Sequence, residues 1–223
     1  MIGRAILLVL CMLVLCMSGA GPAWAGSDAT VAQAWVAEYR VHDAQGDRTL
    51  VLVRADKRVE YRFAGEPVRV WEVGTDGLLH REVFVADNHV VSYTPGDLRA
   101  LGRNAEWAQL SHLVDPALRT QLRKHGTRKV SGASARRYEG DVQGVPVRLD
   151  WLEAAGLPAR YRTGTGRNAY VLELRSLEQR PADKAFTTTD GMREIDYADI
   201  GDMELDPFVR RYIRQGAGVA AEH

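Results

Sequence analysis

The chain of 223 residues carries 29 Lys+Arg against 29 Asp+Glu, and 46% of it is hydrophobic. That balance excludes a protein held to nucleic acid or to an anionic membrane by bulk charge, and the apolar content excludes a disordered chain. The only cysteines are Cys11 and Cys16.

The first residues, MIGRAILLVLCMLVLCMSGAGPAWAGS, place Arg4 before an apolar run from Ala5 to Met17, then small residues, Pro22 and the step Ala23-Trp24-Ala25. This is the pattern of a cleavable secretory signal peptide, residues 1–25, with cleavage after Ala25 and delivery to the periplasm. The run is shorter than the roughly 20 apolar residues a membrane-spanning helix requires, so no transmembrane segment is expected after processing. A lipid anchor on Cys11 or Cys16 fits less well, because Leu10 and Leu15 stand where a small residue is required. The mature chain has no cysteine, which excludes disulfides, zinc–thiolate sites and a cysteine nucleophile. It is long enough for one sizeable core and shows no repeat or low-complexity linker.

The mature chain opens with short alternating segments. Trp35, Ala37, Tyr39 and Val41 alternate with Glu38, Arg40 and His42, and Gln45-Gly46-Asp47 turns the chain into TLVLV at 49–53. Val59, Tyr61 and Phe63 alternate with Arg58, Glu60 and Arg62; PVRVWEV, LLHREVFV and HVVSYT follow. This is the period of half-buried antiparallel strands. After Thr94 the spacing of Leu98, Leu101, Trp107, Leu110 and Leu113 predicts helix broken near Gly102, and Asp115-Pro116 starts a second short helix that Gly126 stops. Strands then resume in ARRYEGDV, VPVRLDWLE, LPARYRTG and NAYVLELRSL. The expected fold is α+β: a strongly curved antiparallel sheet, an incomplete barrel, with inserted helices covering one face.

Thr75-Asp76-Gly77, VVSYTP at 90–95, the Leu/Trp helical segment and the closing meander from Tyr138 to Tyr161 together resemble the LolA-like periplasmic lipoprotein carriers and their lipoprotein-sensing relatives. The resemblance covers residues 34–187 and rests on layout. It implies a half-barrel with a helical lid that binds lipoprotein acyl chains without chemistry, with a membrane protein as a possible partner. The chain departs from the carriers in lacking most of their N-terminal helix and in its acidic tail, so residues 26–187 are expected to form the half-barrel and 188–223 an acidic loop and helix packed on it.

Bulky inward residues would line an apolar pocket in such a fold. The candidate ligand-binding residues are Trp35, Tyr39, Tyr61, Phe63, Trp71, Tyr138, Leu149, Trp151 and Tyr161 on strands, with Trp107, Leu110 and Leu113 on the lid. The alternative is that they fill an ordinary core.

Catalysis finds no foothold. His42, His80, His89, His112, His125 and His223 occur in no triad, serine-elbow or zinc-binding context, although His80 and His89 bracket one hairpin and could meet across it. Gly164-Thr165-Gly166 joins two strands and is a turn rather than a nucleotide loop. No catalytic residue, metal ligand set or cofactor is therefore expected.

In IDYADIGDMELDPF the carboxylates Asp196, Asp199, Asp202, Glu204 and Asp206 do not have the spacing of a calcium loop. Asp206-Pro207 reads instead as a helix start, with Phe208, Val209, Tyr212 and Ile213 as the apolar face and Gly216 as the stop. The remaining acids are solvated or form an interaction surface. Two functions follow: a carrier of an apolar ligand, or a protein that engages a protein partner through this acidic segment and terminal helix.

Overall fold

A computed structural model describes residues 32–130 and 132–220. The expected signal peptide and its cleavage site lie outside these residues. Twelve strands form one sheet: β1 (Gln33–Asp43), β2 (Gly46–Arg54), β3 (Arg58–Phe63), β4 (Val68–Val73), β5 (Leu78–Phe84), β6 (His89–Tyr93), β7 (Arg123–Val130), β8 (Ala133–Val142), β9 (Val145–Leu152), β10 (Leu157–Thr163), β11 (Tyr170–Pro181) and β12 (Arg193–Asp196). Their order is β12-β6-β5-β4-β3-β2-β1-β11-β10-β9-β8-β7. Neighbours are antiparallel, except that β12 runs parallel to β6. The sheet does not close, so β7 and β12 are its edges and the fold is the α+β incomplete barrel expected from the alternation.

Turn chemistry fixes the register. At the β8–β9 hairpin both central residues, Gln143 (φ 53°) and Gly144 (φ 80°), are left-handed. This geometry matches the twist of the flanking strands and holds Val142 opposite Val145. The inner face then aligns Tyr138, Leu149, Tyr161, Leu172 and Val41 across five strands. Around this row a core closes on Ala37, Tyr39, Leu52, Val59, Leu157 and Leu172, all fully buried. Each such large side chain stabilises the fold by about 1.5–3 kcal/mol.

Among the described residues five α-helices complete the fold: α1 (Pro95–Ala100), α2 (Trp107–His112), α3 (Leu118–Gln121), α4 (Ala182–Ala185) and α5 (Pro207–Ala220). A capping box starts α1, where Thr94 and Asp97 bond each other's backbone N–H. Asp206 caps α5 by accepting from the Phe208 and Val209 N–H groups at 2.8 and 3.2 Å, with Pro207 at the first helical position as expected.

Four details differ from the sequence reading. The helix expected to run to Gly126 ends at Gln121, and Arg123–Val130 is an edge strand whose Gly126 (φ 93°) sits in a bulge. This strand carries no buried apolar alternation and exists through its backbone pairing with β8. Leu113 is the left-handed C-cap of α2 rather than part of its helical face. Gly216 does not stop α5, and Arg193–Asp196 of the acidic loop is a strand.

Among the described residues, the outer face is covered over one half. From β11 the chain crosses behind the sheet to reach β12. Ala185 packs with Ala34 and Val53, and Met192 packs against Val70, Val83 and Val90. Here Glu60, read from its alternation as solvent-facing, is fully buried. Its carboxylate accepts from Arg62 Nε at 2.5 Å and from the Thr187 N–H and hydroxyl at 3.0 and 2.5 Å. Arg62 also donates to the Ala185 carbonyl at 2.7 Å, and Arg58 lies 4.5 Å over the Phe186 ring. A charged residue on an outward strand position has thus become the clasp of a crossing segment.

Candidate functional site

Between the inner face and α2 lies a hollow of about 450 Å³. Its walls are Leu50, Tyr61, Phe63, Trp71 and Tyr170 from the sheet and Leu110 and Leu113 from the helix. Arg69, Asn104, Glu106 and Gln109 add polar groups to this apolar lining. Strand alternation aims the aromatic rings: Tyr61 and Phe63 share the inner side of β3, and Trp71 stands opposite Val59 on β4.

The roof is fastened at one end. The Tyr61 hydroxyl donates to the Leu110 carbonyl, and Arg54 donates to the carbonyls of Ser111 (3.1 Å), Gly156 (3.2 Å) and Ala155. A guanidinium at the C-terminal carbonyls of a helix is placed favourably for its dipole. Burial raises the pKa of the Tyr61 phenol, which keeps it a protonated donor at neutral pH, while burial lowers that of Arg54. Gly156 is at φ +59°, and a Cβ there would lie 3.3 Å from the His112 ring, so this position lets the turn approach the helix. Burial also lowers the pKa of His112, which favours the neutral ring. The other end of α2 follows Glu106, which makes no side-chain cap.

Trp71 forms the boundary with a second, closed environment. It stacks on buried His80 at 4.1 Å between ring centroids, and His80 stacks in turn on Tyr93 at 5.2 Å. The phenols of Tyr93 and Tyr212 donate to Glu82 at 3.3 and 3.2 Å, and Arg103 approaches the same carboxylate at 3.8 Å. Burial raises the pKa of Glu82, but the hydrogen bond and charge of His80 and the charge of Arg103 outweigh it, and the net shift is downward. Burial and the Glu82 charge push the Tyr93 phenol up to about 12.

The twelve sequence-derived binding residues divide among several environments. Tyr61, Phe63, Trp71, Leu110 and Leu113 meet at the hollow. Trp107 does not face it; with Trp35 it lines a separate hollow of about 380 Å³ on the other side of α2. Trp35 also borders a third hollow of about 550 Å³ with Leu152, Ala155 and Leu177. Tyr39, Tyr138, Leu149 and Trp151 are packing residues: Tyr39 is wholly buried and its hydroxyl donates to the Pro158 carbonyl at 3.0 Å, and the other three pack beneath Leu122. Tyr161 lies between the two clusters. Leu50 and Tyr170 join the site although neither is among the candidate ligand-binding residues; Tyr170 is one of the bulky inward strand residues, and inward alternation was the available signal for Leu50. Of the polar wall residues, Arg69 shares the inward alternation of Trp71 on β4, and Asn104 and Glu106 carried no such signal. His80 and His89 do not meet, because their cross-strand partners are Tyr93 and Phe84.

No protein-family model matches the chain, and no curated protein matches its sequence. Several solved structures align with it at low identity. PNGF-II aligns at 13% identity and a TM-score of 0.42, over 77% of this chain and 33% of its own, so the chain spans about a third of that protein. The MucA/MucB complex from Pseudomonas aeruginosa aligns at 13% identity and a TM-score of 0.38, over 70% of this chain and 56% of the other. An outer membrane lipoprotein-sorting protein domain from Vibrio parahaemolyticus aligns at 10% identity and a TM-score of 0.24, over 69% and 87%.

Proposed function

We propose that the mature chain is an exported periplasmic binding or carrier protein for an apolar ligand such as an acyl chain, acting by enclosure without catalysis. The observation that carries this reading is the hollow of about 450 Å³ under α2, walled by Leu50, Tyr61, Phe63, Trp71, Leu110 and Leu113. Its size is that of small-molecule sites, roughly 300–1,000 Å³. Each methylene it shelters contributes about 0.8 kcal/mol, so a partly enclosed chain binds without a charged contact. The apolar leader of residues 1–25 supports export, and no helix among the described residues is long and apolar enough to cross a membrane.

The test is native mass spectrometry of protein taken from the periplasm, with quenching of tryptophan fluorescence by a spin-labelled fatty acid. A co-purifying lipid and saturable quenching are expected. Leu110→Trp should fill the hollow and abolish lipid retention while the protein stays folded. Absence of lipid together with absence of quenching would overturn the carrier reading.

One observation favours a protein partner as the second reading: Leu205 is 89% exposed between Glu204 and Asp206. An apolar side chain held out of an acidic turn suits a protein contact, and Leu205→Ser would then abolish partner capture without changing lipid retention.

A further inference from the structure

Overall neutrality conceals two opposed ends. Residues 190–206, at the β12 edge, hold seven Asp/Glu and a single Arg, whereas residues 123–163, from β7 to β10, hold nine Lys/Arg and four Asp/Glu. The basic residues include an ordered group. On the outer face, in the half the crossing segment leaves bare, five arginines border a hollow of about 140 Å³ together with Glu139 and Asp150.

The strand register shows how these charges are balanced. In one row Arg137 and Arg160 lie on either side of Asp150, and this is a compensated arrangement: Arg137 bonds Asp150 at 3.1 Å and Arg160 pairs with Glu173 at 3.0 Å. Arg128 also reaches Asp150, at 3.4 Å. The next row is not compensated. Arg162 stands directly opposite Arg148, and directly opposed like charges on neighbouring strands are destabilising. Glu139, the other neighbour of Arg148, comes only to 3.8 Å. Arg162 is half-buried and makes no hydrogen bond or ion pair among the described residues. Protection of a sheet edge accounts for charge on β7, but β9 and β10 are interior strands.

We propose that this hollow is an anion site for a phosphate group, carried by a lipid headgroup or present as free phosphate. Guanidinium groups bind phosphate oxygens through paired charge-assisted hydrogen bonds. An anion between Arg148 and Arg162 supplies the countercharge that this row lacks, while Asp150 fixes the neighbouring Arg128 and Arg137. The site lies on the outer face and does not depend on the apolar hollow having a ligand.

The experiment uses the mature protein and the double variant Arg148→Gln/Arg162→Gln. One arm titrates inorganic phosphate calorimetrically against chloride at equal ionic strength. The other measures flotation with phosphatidylcholine vesicles, with and without phosphatidic acid. Saturable phosphate binding, weakened about tenfold or more in the variant, identifies free phosphate as a source. Flotation only with phosphatidic acid, lost in the variant, identifies a headgroup. The variant should melt no lower than wild type, since it relieves like-charge repulsion. The proposal is overturned by no response in either arm, by a response unchanged in the variant, by preference for a poly-glutamate peptide over phosphate, or by a variant that melts lower and so gives these arginines a structural role.

Discussion

The inner face of the sheet is finished in two different ways. Over β4–β6 and β12 it is filled by α5, a 14-residue helix capped by Asp206, whose Phe208 and Val209 pack with Val91, Tyr93, Leu98 and Ile195. Phe84 meets both Phe208 and Tyr212 edge-on, and Tyr197 stacks on Tyr93 at 4.7 Å. Over β2–β4 the same face is spanned by six-residue α2, fastened through its C-terminal carbonyls and uncapped at its start, and a hollow remains beneath it. One face therefore supports both a dense core and a cavity, depending on the length and anchoring of the covering helix. A one-sided anchor leaves little permanent burial to lose, which is what a site that admits a ligand requires.

The sharpest way to break this contrast is at the filled end. Phe208→Ala should destabilise the whole protein by about 3–5 kcal/mol in urea unfolding, because it leaves a cavity among packed rings. A single unchanged global transition would show that α5 is dispensable. Removing the clasp of the crossing segment should come next. Glu60→Ala leaves Arg62 and the Thr187 N–H without their acceptor and should cost about 2 kcal/mol, read from the same curves.

Alkali tests the filled half through the phenol of Tyr93. Tyr93 has its folded pKa raised from 10.0 to about 12, so the proton is bound more tightly in the folded state. The resulting stability is complete below pH 10 and is lost as pH rises from there through about 12. Thermal melts across that window should fall more steeply in wild type than in Tyr93→Phe. At the hollow the effect should be small: Leu110→Ala, facing existing empty space, should cost less than about 1 kcal/mol in urea unfolding while measurably weakening fatty-acid quenching. Leu205→Ser, almost wholly exposed, should change stability by less than about 0.5 kcal/mol.

Much of this arrangement is written in local pattern. Alternation in β1–β6 and β8–β11 marks the inner residues, and Asp206-Pro207 announces α5, because strand period and capping depend on neighbours a few positions away. Of the site, Tyr61, Phe63 and Trp71 were legible as inward aromatics and Leu110 and Leu113 as the cover. The same pattern could not separate them from Tyr39, Leu149 and Trp151, which alternate identically and are packed solid. Asn104 and Glu106 have no periodic signature and reach the hollow because the chain between α1 and α2 passes there, whereas Arg69 arrives on β4 on the same face as Trp71 and Gln109 arrives on α2 beside Leu110.

By itself the sequence determined the strand-rich class, the inserted helices, the cap of α5 and which side of most strands turns inward, since these follow from side-chain period and backbone preferences within short segments. Tertiary structure alone decided that Arg123–Val130 is an edge strand, that Glu60 is buried by residues 185–187, that Trp107 faces away from the hollow under α2, and that Arg148 opposes Arg162. Each of these depends on contacts between segments far apart in the chain, and solvent exposure and charge environment are set by what arrives from elsewhere rather than by the residue's own neighbours.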